Sequence, residues 1–351
     1  MKGNQWPLII VILLAVMIIA GSVYLFIFSP SAGFFLMRQR VNFGTFTAPA
    51  AIPPYLIEKK GWDKEEQVKI RTRFYPEKEL GAALLSGKVE VAIMDFLAFQ
   101  SAFAQAKSAG KEIIFYCPFY IDKGDAILIR AGSKIKPFAE VIKGKTIFTT
   151  KGSNAEQLLR LALEKAGLKT SAVKMAYAPP DKCLAAFLKG DAEVMAGDLS
   201  VQLAARKENH PPLIFASDLG LISIYGLVTT KAYLQKHPAT VESLINLWFR
   251  AVQNIKEDPR KHTKALIKEL NQRTRRNYDG DDFAYVFETA GIFPESQQAA
   301  ADLLLSHFSY CYWQKVWDIN NQYLIKAGKI AQPVPYGAFG EKNLPAVIIR
   351  Q

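Results

Sequence analysis

The chain has 351 residues, of which 50% are apolar and 22% charged, a balance that excludes a disordered polymer and gives enough length for one large domain or two ordinary ones. Lysine and arginine number 44 against 32 acids, a net charge of +12. The three cysteines, Cys117, Cys183 and Cys311, exclude a disulfide-rich scaffold and a spaced metal cluster, and leave one bridge open between any two of them.

Pro7 to Phe28 form an uncharged run of 22 residues. As a helix it spans about 33 Å, enough to cross a bilayer core of about 30 Å. The run is longer than the apolar region of a cleaved signal, which favours a retained membrane anchor through residues 7–28. Cleavage after a small-x-small pattern at Ala20-Gly21-Ser22 is the alternative. Either way a long polar domain follows one N-terminal apolar segment, a pattern of export to the periplasm or another extracytoplasmic space. Residues 1–40 carry +3, from Lys2, Arg38 and Arg40, so the exported part carries +9. Nucleic acid is not an expected partner for such a domain. The charge fits a membrane-facing surface or attraction of anions, with most of it a solvated face.

Beyond residue 40, strands and helices alternate. Val41–Phe46 reads as a strand, and Pro53-Pro54 opens a helix that Gly61 ends. Val68–Phe74 alternates with period two. A helix through Leu80–Leu85 and a buried strand from Val89 to Met94 complete a βαβαβ order, which predicts a parallel α/β sheet. The plan repeats with a strand at Lys145–Thr149, a helix opened by a capping box Ser153-Asn154-Ala155-Glu156, a strand at Val173–Tyr177, a helix through Leu184–Leu188 and a strand from Ala192. Residues 83–95 and 186–198 match at six of 13 positions, and each ends in aspartate, Asp95 and Asp198. After residue 230 the pattern turns helical, with an apolar face of Leu244, Leu247, Trp248, Ala251 and Ile255 over roughly 239–257. Further helices are expected through 265–270, 281–290, 296–305 and 312–327. The stretch 331–351, rich in proline and glycine, reads as an irregular extension or a strap.

The catalytic inventory is poor. His210, His237, His262 and His307 have no metal-ligand spacing. No nucleophile elbow, phosphate loop or dinucleotide fingerprint is present. Cys183 reads as a buried small residue, and Arg273-Thr274-Arg275-Arg276 as a solvated loop or a docking patch. No cofactor or metal is expected, and the chain is not expected to be an enzyme.

The stretch TKGSNAEQLLRLALEKAGLKTSAVKMAYAPPDKCLAAFLKGDAEVMAGD (150–198) resembles periplasmic substrate-binding proteins of the nitrate/sulfonate/taurine and thiamine-pyrimidine group, which serve ABC importers. The same pattern occurs at 53–65, 84–96, 124–130 and 226–248, in family order, and covers about 41–330. The resemblance implies a two-lobed, periplasmic-binding-protein-like (type II) α/β clamp with a hinge. It places lobe one at 41–126 plus 225–330, lobe two at 127–224, and leaves 331–351 outside the pattern. Its partners are a small-molecule ligand, an ABC permease and the permease's ATPase. The cysteine-rich iron site of the pyrimidine-synthesising relatives has no counterpart here.

Ligands of open α/β sheets lie beyond the carboxyl ends of the strands. That rule selects Phe46, Thr47, Asp95, Phe96 and Asp198 as ligand-binding candidates, with Ser153 and Asn154 at a helix N-terminus, and the lobe crossings that the resemblance implies add Asp125 and Tyr225. A helix N-terminus at Ser153 and Asn154 suits an anionic group, whereas two aspartates suit an amine or ring N–H. The expected cargo is a small polar or anionic solute: a sulfonate, nitrate, a taurine-like zwitterion or a pyrimidine. The alternative is a membrane-tethered ligand-sensing or interaction domain that signals through a partner.

Overall fold

The computed structural model describes residues 38–133, 137–260, 263–274, 276–305 and 312–340. The apolar run at 7–28, Cys311, His262, His307, Arg275 and the stretch 341–351 lie outside the described residues. Among the described residues no helix is long and apolar enough to cross a membrane.

In chain order, β1 (Gln39–Thr45) leads to α1 (Pro53–Lys60), β2 (Val68–Phe74), α2 (Leu80–Leu85), β3 (Val91–Asp95), α3 (Phe96–Ser108) and β4 (Ile113–Asp122). Prolines occupy the first turn of α1, where no N–H is needed, and Gly61 ends it in the left-handed conformation at φ 69°. The chain then crosses into a second sheet: β5 (Ala126–Ile129), α4 (Phe138–Ile142), β6 (Thr146–Thr149), α5 (Asn154–Lys165), β7 (Lys174–Tyr177), α6 (Pro180–Lys189), β8 (Val194–Gly197), α7 (Leu199–Lys207) and β9 (Pro212–Phe215). It returns through β10 (Ser223–Thr230), then runs through α8 (Lys231–Lys236), α9 (Pro238–Glu257), α10 (Lys264–Thr274), α11 (Gly280–Tyr285), β11 (Gly291–Ile292), α12 (Gln297–Leu305) and α13 (Trp313–Lys326).

The first sheet has the order β11-β4-β10-β3-β1-β2, and the second β7-β6-β8-β5-β9. Both are mixed, which corrects the all-parallel expectation. The strands β2, β1 and β3 are parallel, but the returning strand β10 lies antiparallel between β3 and β4. In the second sheet β5 is antiparallel to both of its neighbours. The reason is connectivity. A chain that leaves one sheet at its ligand-facing edge and re-enters there must run the opposite way. Alternation along a strand feeds both faces of a sheet. In β3, Val91 and Ile93 join one core cluster, and Ala92 and Met94 join the other.

The apolar face read from 239–257 is realised in α9, where Leu244, Leu247, Trp248, Ala251 and Ile255 are all buried. The ring of Trp248 stacks on Phe119 at 4.2 Å. The opposite face of the first sheet is covered by α3, α13 and residues 334–339. Phe339 forms a parallel bridge with Phe115, and the carbonyl of Val334 accepts from Trp317 Nε1 at 2.8 Å. The described part of the extension is therefore a strap sealed into the core. Cys117 and Cys183 are buried free thiols, so no bridge joins them.

Candidate functional site

The two crossings between the sheets fix the site. In the first sheet Tyr225 pairs with Asp95 on one side and Tyr120 on the other, and Ser223 pairs with Asp122. In the second, Ala126 pairs antiparallel with Gly197, which sets Asp125 beside Asp198. Register alone thus brings aspartates from both sheets to one cleft.

Glu77, in the short turn after β2, joins them. Burial pushes its carboxyl well above the usual range, and Asp95, Asp198 and Asp122 push it further, while the Tyr225 hydroxyl beside it favours the charged form. Burial pushes Asp122 up to about 7, against the N–H of Gly124, which donates to Asp122 Oδ1 at 2.7 Å. Asp125 is raised well above the ordinary range by burial, then by Asp122, Asp198, Glu77 and Asp95. It is 7% exposed, and its carboxylate has no hydrogen-bond or ion-pair partner among the described residues. The hydroxyl of Tyr120, 1% exposed and set beside the same acids, is also without a partner.

Asp95 and Asp198 do the same job in the two halves. Each caps the helix that follows its strand: Ala98 N–H donates to Asp95 Oδ1 at 2.8 Å and Val201 N–H to Asp198 Oδ1 at 2.9 Å. The second oxygen of Asp95 accepts from Asn154 Nδ2 at 2.6 Å, a bond between the two sheets' ends. The same amide donates to Ser223 Oγ at 3.0 Å. Burial raises the Asp95 carboxyl, and the Asn154 bond opposes the rise.

The capping box at α5 is shifted by one residue from the sequence expectation. Ser153 Oγ accepts from Glu156 N–H at 3.3 Å, but Glu156 Oε2 takes the N–H of Gly152, at 2.6 Å, not that of Ser153. Arg160 and the Tyr177 hydroxyl hold Glu156 Oε1 at 2.7 and 2.9 Å. Glu156 thus serves an amide ahead of the helix, and among the described residues the first two helix amides, of Asn154 and Ala155, carry no hydrogen bond.

Aromatic rings make the cleft wall. Tyr225 stacks on Tyr120 at 4.6 Å and 2°, and half-buried Phe46 leans on Tyr225 at 5.5 Å. Thr47, also half-buried, follows Phe46 along the chain. The structure brings together Phe46, Asp95, Asp125, Asn154, Asp198 and Tyr225. Ser153 stands next to Asn154, with its hydroxyl committed to the cap and to the Thr150 carbonyl. Phe96 is a correction. It is fully buried, edge-on to Phe115, Trp317 and Phe339, because the first turn of α3 points it into the core. Sequence reasoning passed over Glu77, Tyr120 and Asp122. The last two lie in Tyr120-Ile121-Asp122-Lys123-Gly124-Asp125, a doubled acid around Lys-Gly at the crossing, which was the available signal.

The lobes also meet at the cleft's edge. Arg276, from the run read as a solvated loop or patch, reaches the other lobe, with Nη2 on Asp181 at 2.6 Å and Nη1 on the Ser200 carbonyl at 2.7 Å. Lys207 bridges Asp279 and Asp282 at 2.8 and 2.7 Å. Gln157 donates to Asn320 at 2.9 Å. Among the described residues no three His, Cys, Asp or Glu side chains are placed to hold a metal ion.

A family model described as "NMT1/THI5 like" matches residues 48–262. An Escherichia coli (strain K12) protein named for binding aliphatic sulfonates is 36% identical over 74 residues, 21% of this chain and 23% of that protein, so the match spans about a quarter of the relative's length. Among solved structures, the periplasmic aliphatic sulphonate binding protein SsuA from Escherichia coli aligns with a TM-score of 0.67 at 19% identity, over 86% of this chain and 92% of that one. The alkanesulfonate-binding protein SsuA from Xanthomonas axonopodis pv. citri, bound to MOPS, aligns with a TM-score of 0.57 at 21% identity, over 79% and 93%. The architecture is the two-lobed α/β fold of these periplasmic binding proteins.

Proposed function

The chain belongs to the NMT1/THI5-like family, and from that premise we propose that it is a solute-binding protein that delivers a small polar molecule to an ABC importer. The observation that carries this reading is the Asn154–Asp95 bond between the two sheets' ends, beside the unpartnered Tyr120 hydroxyl and Glu77 Oε1. A cleft closed by one such bond and lined by unused polar groups is suited to capture, with lobe closure as the signal that a permease reads. We place lobe one at 41–126 plus 225–330 and lobe two at 127–224. The hinge falls at Asp125–Ala126 and Ser223–Tyr225. Phe46, Asp95, Asp125, Asn154, Asp198 and Tyr225 contact the solute, with Glu77, Tyr120 and Asp122. The reading is capture without turnover, supported by the likeness to binding proteins. Residues 7–28 export the domain and tether it to the outer face of the cytoplasmic membrane, where permease and ATPase assemble.

The test is native mass spectrometry of the full chain released gently from detergent. A stoichiometric small molecule that leaves unchanged on denaturation supports capture. A chain of bare mass, or release of a chemically altered molecule, contradicts it.

A further inference from the structure

Resting on the reading of residues 7–28 as a tether, we infer that a basic row on β1 and β2 is a docking surface for an anionic lipid bilayer, the one that holds the tether.

Strand alternation sets the face. Val41 and Phe43 of β1, with Val68 and Ile70 of β2, point into one core cluster. The residues between them point the other way. These are Arg40 in β1 and Lys69, Arg71 and Arg73 in β2, all four exposed. The parallel register sets Arg40 directly opposite Lys69, and Asn42 opposite Arg71. Paired strands lie about 5 Å apart and alternate residues about 7 Å apart, so the four charges share one patch. Arg38 is exposed just ahead of β1, and Lys88 just ahead of β3.

The patch is unbalanced. Among the described residues the side chains of Arg40, Lys69, Arg71 and Lys88 make no hydrogen bond or ion pair. Arg73 Nε donates to Asn42 Oδ1 at 3.3 Å. Glu90, the acid that meets this row, accepts at Oε2 from the backbone and side-chain amides of Asn42 at 2.6 and 3.2 Å. Elsewhere surface cations are matched: Lys207 with Asp279, Arg250 with Glu65, Arg260 with Asp281. Like charges directly opposite across strands are destabilising, and an anionic layer over them removes that cost.

Protection of a sheet edge does not account for the row. The strand β2 is the edge of its sheet, and lysine or arginine on an edge can block strand addition. Here the N–H groups that an added strand would pair with are already taken. Ile70 donates to Asp63 Oδ2 at 3.0 Å and Thr72 to Glu58 Oε2 at 2.8 Å.

Position selects the occupant. Arg38 follows Phe28, the end of the apolar run, by ten residues. Ten residues reach at most about 36 Å, so the start of β1 stays close to the bilayer. Each lysine or arginine beside an anionic surface favours contact about fivefold, an attraction that fades over about 10 Å.

The test is amine labelling of the full chain in lipid nanodiscs, with an N-hydroxysuccinimide ester as reagent and peptide mass spectrometry as readout. One disc holds equal parts phosphatidylglycerol and phosphatidylcholine, the other phosphatidylcholine alone. At low salt Lys69 and Lys88 are expected to react at least about fivefold more slowly in the anionic disc. Lys189, exposed on α6 of the other lobe, is expected to react equally in both. High salt removes the difference, and so does Arg40→Glu combined with Arg71→Glu. Thermal melts establish that the double variant is folded, and the salt arm stands without it. Equal rates for Lys69 in the two discs overturn the inference and leave the tether standing. Slowing by the same factor in both discs, relative to detergent, overturns it in favour of a protein segment over the face. A chain that enters neither disc overturns the tether and the inference together, while solute capture is still decided by the native mass spectrum.

Discussion

The side-chain amide of Asn154 donates to Oδ2 of Asp95 at 2.6 Å, from the first residue of α5 in one lobe to the N-cap of α3 in the other. The bond is charge-assisted and part-buried, a class that contributes about 1.5–3 kcal/mol when its partner is fully ionised. It spans the cleft, so opening breaks it. Asp95 keeps its capping bond in either state, because that bond lies within its own lobe.

Asn154→Ala is therefore expected to leave each lobe folded and to shift the clamp toward the open form. The solute's dissociation constant rises about tenfold, in line with loss of one charge-assisted bond. The melting temperature of the empty protein changes by only a few degrees. Titration of wild type and variant, with scattering profiles of both, checks this.

The cleft acids set a pH dependence with a definite sign. Asp122 holds its proton in the folded state up to about pH 7, whereas an unfolded aspartate releases it near 4. Between those values the folded protein binds more protons, so stability falls as pH rises through the window and returns on acidification. For Asp122 alone the span is about 2–4 kcal/mol. Melts of the empty protein are expected to run higher at pH 5 than at pH 8. Asp122→Asn flattens that slope and raises the pH 8 midpoint. A midpoint that rises with pH in the wild type contradicts the assignment.

Much of this was legible in the sequence. The Asp95 and Asp198 echo was visible as a repeated helix, Gly, strand, Asp order, and both aspartates cap the next helix with the same offset of three residues. The apolar face of α9 and the ends of α1 were readable for the same reason: period and caps are local. Strand direction was not. The antiparallel return of β10 depends on where the chain re-enters the first sheet, which no local pattern encodes. Phe96 misled because position after a strand does not say which way a side chain points. Glu77 escaped because its turn is far in sequence from every residue it meets, and acids on turns are usually solvated.

Phe96 and the cleft can be separated by mutation. Phe96→Ala removes a fully buried ring packed on three aromatic neighbours and is expected to cost about 3–5 kcal/mol. In the fraction that stays folded, solute affinity is unchanged. Denaturant melts with titration at low temperature distinguish this from a ligand contact, which would lose affinity without losing stability.

Gly226 is required by close approach of strands. A Cβ there would lie 2.2 Å from the Cys117 carbonyl oxygen and 2.5 Å from the Phe115 ring, where the β10–β4 register shifts. Backbone cannot retreat as a flexible side chain can, so Gly226→Ala is expected to destabilise by about 3 kcal/mol. Because β10 carries Tyr225 and Ser223, the variant also loosens the hinge. Chemical denaturation measures the first effect, and hydrogen exchange of β10 amides the second.

The claim that the two lobes clamp a solute is tested most directly by scattering from the full chain in detergent. The chain is stripped of bound molecules by unfolding and refolding, then measured with and without the low-molecular-mass fraction of a cell extract. A smaller radius of gyration for the protein component is expected on addition of the fraction. No such change is expected in Asp125→Asn under the same conditions. Identical profiles for the stripped and the replenished wild type would contradict the claim.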